Sequence, residues 1–237
     1  MILLRSLFFY AGLIVATVIF TLLGIVFMPL NFPFRYRIIS KWSVFNLWWL
    51  KITCGLDFQV HGKENIPDSV GIIMCKHQSA WETLALQTIF PAQVWVLKRE
   101  LLWIPIYGWG LATMQPISID RSSGMRALKQ IVKQGITRLN NGLWIVIFPE
   151  GTRTAPGEKR KYQSGGGLLA VKSQHPIVPV AHNAGSFWPR NSLTKRPGTI
   201  HMVVGSAIYA DDKSAEDVTK EVEDWIESTM VELLTKN

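Results

Sequence analysis

The chain has 237 residues, of which 48% are hydrophobic and only 18% charged, a composition that excludes a disordered protein and is apolar for a freely soluble enzyme. Its 25 Lys and Arg residues outnumber 17 Asp and Glu residues, and the net charge of +8 indicates an anionic partner: nucleic acid, a membrane surface or a phosphorylated substrate. Ten tryptophans favour the membrane, and two cysteines are too few for a disulfide framework, which suits a reducing cytosol.

The first predicted element is a membrane-anchoring helix. From Ser6 to Phe34 there is no charged residue, and about 20 apolar residues are enough to cross a hydrocarbon core. A cleaved signal peptide is the alternative, but it needs a shorter apolar run and a small-residue cleavage site, which this run lacks. One basic residue precedes the run and three follow it: Arg5, then Arg35, Arg37 and Lys41. The heavier C-terminal flank predicts that the rest of the chain lies on the cytoplasmic side.

An aromatic segment follows at residues 42–51. It suits a helix lying in the membrane interface, or the second arm of a helical hairpin that enters one leaflet. It equally suits a helix that covers the core of the next domain. We therefore assign residues 1–57 to a membrane-anchoring helical segment, a single helix or a hairpin, and residues 58–237 to a globular domain.

The globular part has the pattern of an α/β domain. Four short, continuous apolar runs predict strands that are buried on both faces: Val70–Cys75, Val94–Leu97, Leu143–Phe148 and Ile177–Val180. Amphipathic helical patterns alternate with them, one capped by Ser123 and another beginning at Ser214. The pattern predicts one domain in which helices flank a mixed sheet.

The first group of residues with catalytic potential is His77 and Glu82. A neutral imidazole accepts a proton near pH 7, and a carboxylate on its other nitrogen fixes the tautomer. On one helix a five-residue step turns about 140° away, so the two side chains meet only if His77 lies in a loop and Glu82 in the first turn of the next helix. Ser79 as N-cap would make Glu82 the third helical residue, and that same pattern is a capping box with a purely structural role.

Cys75 stands two residues before His77, so both side chains would point the same way along a strand. A Cys–His nucleophile is therefore conceivable. A cysteine within an apolar run favours a small buried hydrophobe, and we interpret Cys75 as a packing residue.

The second group is the sequence F-P-E-G-T-R, which closes a predicted strand at residues 148–153. Gly151 permits a tight turn, and the planar guanidinium of Arg153 suits a phosphate. An ordinary turn with a solvated arginine fits equally well. Three glycines, Gly165–Gly167, precede a helix predicted from Leu168 and could cradle an anion, but without the spacing of a nucleotide loop a flexible turn is favoured.

Taken together, the motifs resemble those of the glycerolipid acyltransferases, and most closely the 1-acylglycerol-3-phosphate acyltransferase family. H-x-x-x-x-[D/E] followed about seventy residues later by F-P-E-G-T-R is the signature of that family. Its second block resembles the stretch from Lys98 to Arg121, and its fourth resembles Ile177–Ala181. The chain has Lys76 and Glu82 where the family usually has Asn and Asp.

The resemblance implies transfer of an acyl group from a thioester to the sn-2 hydroxyl of lysophosphatidate, which makes phosphatidate for phospholipid synthesis. His77 would be the general base and Glu82 would orient it, while Arg153 and Lys98 would hold the phosphate. The further substrate-binding residues implied are Glu150, Gly151, Thr152 and Pro179.

The partners implied are membrane lipids, lysophosphatidate, and either acyl carrier protein or acyl-coenzyme A as donor. The resemblance implies no separate cofactor, and an inner (cytoplasmic) membrane location with the catalytic domain on the cytoplasmic side. No metal is expected, because the other histidines lack ligand spacing: His61, His175, His182 and His201.

Two alternative functions remain open from the sequence. The acceptor could be another lysolipid, such as a phosphate-free lyso-aminolipid, or the chain could be a non-catalytic, membrane-anchored interaction protein. The structural role of residues 103–109 is also open, because they could form an exposed apolar patch or pack into the core. Nucleic acid is excluded as a partner, because the basic residues are scattered and no recognition motif accompanies them.

Overall fold

The computed structural model describes residues 1–235, and its N-terminal part consists of three helices. They are α1 (Ile2–Val26), α2 (Phe32–Ile39) and α3 (Lys41–Cys54). Helix α3 returns antiparallel along α1: the indole N–H of Trp42 donates to Thr17 Oγ1 at 3.1 Å, and that of Trp49 donates to the Phe8 carbonyl at 3.4 Å. The aromatic segment is thus the second arm of a helical hairpin.

Helix α3 also covers the core of the following domain, as the second alternative for the aromatic segment predicts. Leu47 and Leu50 are buried in the same apolar cluster as the sheet residues Ile73 and Val178. The helix ends at Gly55, which has φ +65° and leads directly into the first strand, β1 (Leu56–His61). The predicted boundary between residues 57 and 58 therefore falls inside β1.

The remaining strands are β2 (Ile72–Cys75), β3 (Gln93–Lys98), β4 (Ile117–Ile119), β5 (Trp144–Ile147), β6 (Ile177–His182) and β7 (Gly198–Val204). They form one sheet in the order β1-β7-β6-β2-β5-β3-β4. Strands β6 and β7 pair antiparallel and all other neighbours pair parallel. The sheet is mixed, which confirms the predicted fold class.

Helices cover both faces of the sheet. The face that carries α1 and α3 also carries α4 (Trp81–Ile89), and α5 (Tyr107–Thr113) packs beside α1. The opposite face carries α6 (Met125–Asn140), α7 (Gly165–Ser173) and α9 (Ala215–Thr235), while the short α8 (Ala184–Phe187) follows β6. Side chains alternate along β2 between the two cores, so Cys75 and His77 point toward the α1 side and Met74 and Lys76 toward the α9 side.

Two local predictions differ from the structure. Helix α6 begins at Met125 after Gly124, whose φ of +48° makes the turn, while Ser123 lies in a preceding 3₁₀ turn. The glycines Gly165–Gly167 form the first turn of α7 and are buried, so they are not a flexible turn. A side chain on Gly166 would meet Met74, and one on Gly167 would meet the backbone of α9, so the glycines permit close helix packing.

Candidate active site

The loop between β2 and α4 presents His77, and the segment after β5 fixes the backbone of that loop. The Thr154 N–H and hydroxyl both donate to the His77 carbonyl, at 2.8 and 3.2 Å. On the other side of the residue, the His77 N–H donates to Glu150 Oε1 at 3.4 Å. The two predicted motifs are therefore in direct contact, and the F-P-E-G-T-R turn positions the histidine.

The imidazole of His77 is oriented by Glu82. His77 Nδ1 lies 2.7 Å from Glu82 Oε1, and the ring stacks on Phe148 with centroids 3.9 Å apart. The side chain is 17% exposed. Because the carboxylate accepts the proton on Nδ1, Nε2 is the nitrogen that can accept a proton from a hydroxyl group.

Glu82 combines the two roles that its spacing left open. Its carboxylate also accepts the backbone N–H groups of Gln78, at 3.0 Å, and of Ser79, at 2.9 and 3.1 Å. Helix α4 begins at Trp81 with Ala80 as N-cap, so Glu82 is the second helical residue rather than the third. Capping the helix and orienting His77 are therefore functions of one carboxylate.

The carboxylate of Glu82 is completely buried, and its surroundings favour the ionised form. Burial alone opposes ionisation, but the neighbouring His182 and the hydrogen bonds from His77 and Ser79 outweigh it and lower the pKa of Glu82. His182 Nε2 lies 3.7 Å from Glu82 Oε2 and donates to the Lys76 carbonyl at 2.8 Å, while its Nδ1 accepts the Ala184 N–H. The sequence carried no signal for His182, because its contacts join strand ends that are distant along the chain.

Cys75 has the environment of a packing residue. It is fully buried in the apolar cluster on the α1 side of the sheet. Burial, reinforced by the charges of Glu82 and Glu150, raises the pKa of the thiol well above its usual value. A buried, protonated thiol is a poor nucleophile, which agrees with the packing interpretation.

Gly151 makes the turn of the second motif at φ +69°, and its carbonyl accepts a hydrogen bond from the Arg121 guanidinium. Arg121 follows β4, so it joins the second sequence block to the F-P-E-G-T-R turn. Arg121 and Thr152 both line a cleft on the α6–α7 side of the sheet.

Arg153 lies in a different cleft, between the α1–α3 hairpin and the α/β domain. The cleft is lined by residues of both parts, among them Tyr10, Trp42, Thr83, Tyr107, Trp188 and Ser192. Burial raises the pKa of the Tyr107 hydroxyl, and the positive charge of Arg153 opposes that rise, which reflects their proximity. The one cationic side chain lining this cleft therefore faces the side of the molecule that carries the apolar helix α1.

An apolar pocket adjoins the Arg153 cleft, because both are lined by Thr17, Trp42 and Tyr107. The remaining pocket wall comes from helices α1, α2, α4 and α5 and from the sheet, and includes Phe20, Gln87, Trp95 and Leu111. Trp95 contacts Phe148 with ring centroids 5.8 Å apart, and Phe148 stacks on His77. The pocket thus lies one aromatic ring away from the candidate base.

Three further predicted substrate-binding residues also lie outside the Arg153 cleft. Lys98 lies at the end of β3, where its exposed ammonium pairs with Glu100 at 3.1 Å. Pro179 is buried within β6 opposite Met74, at the point where the β7 ladder stops, which is where a strand tolerates proline. Glu150 has a fully buried side chain that pairs with Lys76 at 3.2 Å. Burial raises the pKa of Glu150 to about 7.

No group of three or more His, Cys, Asp or Glu side chains within residues 1–235 is arranged to hold a metal ion. His61 and His201 do approach each other, with Nε2 and Nδ1 3.2 Å apart, on the surface beside β1 and β7.

Comparison with known proteins gives a consistent result. A family model described as acyltransferase matches residues 57–183. A 1-acyl-sn-glycerol-3-phosphate acyltransferase of Pseudomonas aeruginosa is 41% identical over 97% of this chain and 91% of its own length. An enzyme of the same name from Cocos nucifera is 25% identical over 90% of this chain and 70% of its own length.

The fold is shared with a solved structure, that of a 1-acyl-sn-glycerophosphate acyltransferase from Thermotoga maritima. The TM-score is 0.81 at 24% identity, and the match covers 98% of this chain and 95% of the other.

Proposed function

The chain belongs to the family of 1-acyl-sn-glycerol-3-phosphate acyltransferases, and from that membership we propose that it transfers an acyl group from a thioester donor to the sn-2 hydroxyl of lysophosphatidate, forming phosphatidate. The observation that carries the proposal is the 2.7 Å contact of His77 Nδ1 with the buried carboxylate of Glu82, beside a cleft that joins a cation to an apolar pocket.

In the proposed reaction, His77 Nε2 takes the proton of the sn-2 hydroxyl as its oxygen attacks the thioester carbonyl. The C–S bond then breaks, and the leaving thiolate receives the proton from the imidazolium, so the products are phosphatidate and a free thiol. Glu82 stabilises the imidazolium between these two transfers and keeps the ring in one tautomer.

The phosphate of the acceptor is assigned to Arg153. A guanidinium can bind two phosphate oxygens at once, and this one lines the cleft between the α1–α3 hairpin and the α/β domain. The adjoining pocket is lined mainly by aliphatic and aromatic side chains, and we assign it contact with part of an acyl chain. Lys98 lies apart on the surface beside Glu100, so we assign it at most a long-range electrostatic contribution.

The membrane position is proposed from the contacts of α1, the one helix within residues 1–235 that is long and apolar enough to cross a bilayer. Its contacts with the rest of the protein run from Arg5, whose carbonyl accepts from Cys54, to Gly24, which packs on Thr113. A helix crossing about 30 Å of hydrocarbon would carry these packed segments into the bilayer. We therefore propose that the hairpin enters one leaflet while the α/β domain stays at the surface.

The exposed surface beside α1 fits this position. Trp103 is 68% exposed and Trp109 55%, and the segment between them is tied to α1 where Thr21 Oγ1 donates to the Ile106 carbonyl at 3.2 Å. Indole rings favour the headgroup region. Exposed basic side chains at Arg37 and Lys41 suit the anionic cytoplasmic surface of an inner membrane.

The proposal is tested by assaying the purified protein in detergent–lipid micelles. Lysophosphatidate and a phosphate-free lyso-aminolipid are offered as acceptors, each with acyl carrier protein and coenzyme A thioesters as donors. We expect acylation of lysophosphatidate and little acylation of the phosphate-free lipid. Equal rates on both lipids would favour the broader lysolipid function, and no transfer to either would contradict the proposal.

The same assay with Arg153→Ala tests whether this residue binds the acceptor phosphate. Loss of one partner from a charged, hydrogen-bonded pair amounts to about 2 kcal/mol or more, so we expect kcat/KM for lysophosphatidate to fall at least about 30-fold, with the donor KM unchanged. Arg160→Ala, in the surface loop where Arg160 pairs with Glu158, is the matched control. An unchanged kcat/KM in the Arg153 variant would remove this residue from the phosphate site.

A further inference from the structure

Lys76, the residue directly before the candidate base, is a charged side chain buried in the protein interior. It is 1% exposed, and its Nζ lies 2.6 Å from Glu227 Oε1 and 3.2 Å from Glu150 Oε1. It points to the α9 side of the sheet, opposite to His77. A side chain so placed cannot reach a substrate in the Arg153 cleft, although its position in the motif would suit a phosphate ligand.

The ammonium of Lys76 joins three segments that are distant in sequence. Glu227 belongs to α9, near the end of the chain, and its Oε1 also accepts from the Tyr162 hydroxyl at 3.0 Å. A third contact of Lys76 Nζ is to the Glu158 carbonyl at 3.4 Å. Tyr162 is buried as well. The last long helix is thereby held against the loop that carries the base.

The same network continues to the backbone of His77. Glu150 Oε1 accepts both from Lys76 Nζ and from the His77 N–H, so a single oxygen links the buried ammonium to the catalytic loop. The Lys76 N–H donates to the Val180 carbonyl of β6 at 2.9 Å. A shift of the Lys76 side chain would therefore change the position of His77 through Glu150.

We propose that Lys76 and Glu227 are positioning residues: the buried ion pair between the β2–α4 loop and α9 holds His77 in the geometry needed for proton transfer. This inference rests on the proposed function. Two carboxylates face one ammonium, so both depend on Lys76 for compensation. The charge of Lys76 opposes the rise in the Glu150 pKa, so its loss favours protonated Glu150, a weaker acceptor for the His77 N–H.

The test is a double-mutant cycle of Lys76→Met, Glu227→Gln and the double variant. We expect Lys76→Met to lower kcat about 100-fold, as a displacement near 1 Å does, while the KM values for both substrates stay within about threefold. Glu227→Gln is expected to lower kcat about tenfold. The double variant should be no slower than Lys76→Met, because Glu227 has no cation left to hold.

The matched control is Asp224→Asn, on the same helix, where the exposed Asp224 pairs with Lys220. It should behave as wild type.

Two results would overturn the inference. A raised KM for lysophosphatidate with unchanged kcat in Lys76→Met would make Lys76 a phosphate ligand. A double variant slowed by the product of the two single effects would show that residues 76 and 227 act independently.

If Lys76→Met does not fold, Glu227→Gln and Tyr162→Phe decide the question, since each loosens the network at its α9 end. Both should lower kcat with KM unchanged, and wild-type kcat in both would overturn the inference. Failure of the proposed function is recognised separately, because wild-type and Asp224→Asn proteins would then also leave lysophosphatidate unacylated.

Discussion

Glu82 and His77 are five residues apart, and the sequence allows their contact only if His77 lies in a loop and Glu82 in the first turn of the next helix, as the structure has them. The contacts that fix them are not local: Thr154 follows His77 by 77 residues, and Glu227 follows Lys76 by 151. Spacing within a motif cannot indicate such partners, because only the order of strands in the sheet brings them together. The sequence likewise suggests a substrate role for Glu150, whereas its buried side chain contacts Lys76 and the His77 backbone.

Glu82→Gln tests whether the carboxylate acts on His77 or only caps helix α4. Oε1 of Glu82 accepts from His77 Nδ1 and from the backbone N–H groups of Gln78 and Ser79, so a glutamine that keeps these bonds offers His77 only an uncharged acceptor, which stabilises the imidazolium less. We expect kcat to fall about 100-fold or more, with a small change in melting temperature. Glu82→Asp keeps the charge and should retain more activity. A loss of melting temperature alone, with kcat preserved, would leave Glu82 only its capping role.

Glu150 makes the stability of the folded protein depend on pH. Burial raises its pKa to about 7 from the ordinary 4.5 of a glutamate. The folded state thus holds this proton more tightly than the unfolded state, and the stability it contributes is present below about pH 4.5 and lost as pH rises through about 7. The full loss is about 3 kcal/mol.

Glu150→Gln has no such proton to lose. Thermal unfolding in detergent at pH 5 and pH 8 should therefore show the variant gaining melting temperature relative to wild type at the higher pH. An identical difference between variant and wild type at both pH values would contradict the raised pKa.

At the scale of elements, continuous apolar runs identified β2, β3, β5 and β6, because these strands are buried on both faces. The other three strands escaped prediction for physical reasons. Strand β4 has three residues, and β1 and β7 alternate between buried and partly exposed positions at one end of the sheet. The helical glycines of α7 were also misjudged, since only packing against Met74 and α9 explains them.

Helix α1 is attached to the domain by Lys195, and this attachment is testable. Lys195 is buried, with its Nζ 3.3 Å from the ring centroid of Tyr10 and 4.7 Å from that of Trp188, while its N–H donates to Ser6 Oγ at 2.9 Å. Lys195→Ala removes the cation–π contacts and leaves a cavity. We expect a loss of about 2 kcal/mol of unfolding free energy.

The measurement is thermal unfolding in detergent together with limited proteolysis of α1. Lys172→Ala, an exposed lysine in the last turn of α7, is the control and should unfold as wild type does. Equal melting temperatures for the Lys195 variant and wild type would show that the aromatic contacts do not hold α1.

At the scale of the whole molecule, the fold separates two surfaces. The hairpin, the Arg153 cleft and the apolar pocket share one side of the sheet, and α6, α7 and α9 cover the other. The sequence predicted the apolar helix and assigned the basic residues after it to the membrane flank. It could not show that Arg35 is buried and donates to the Thr113 carbonyl at 2.8 Å, which ties the hairpin to α5. Under the proposed function, a lipid acceptor would approach the site from the membrane surface and a soluble donor from the solvent.

The central claim is that His77 is the general base of acyl transfer to lysophosphatidate, and the most direct test is the initial rate of phosphatidate formation by His77→Ala. His201→Ala, which removes a surface histidine, is the control. We predict a rate at least about 100-fold below wild type for His77→Ala, with lysophosphatidate binding and melting temperature preserved, and a wild-type rate for the control. A folded His77→Ala protein that keeps more than about 5% of the wild-type rate would contradict the account.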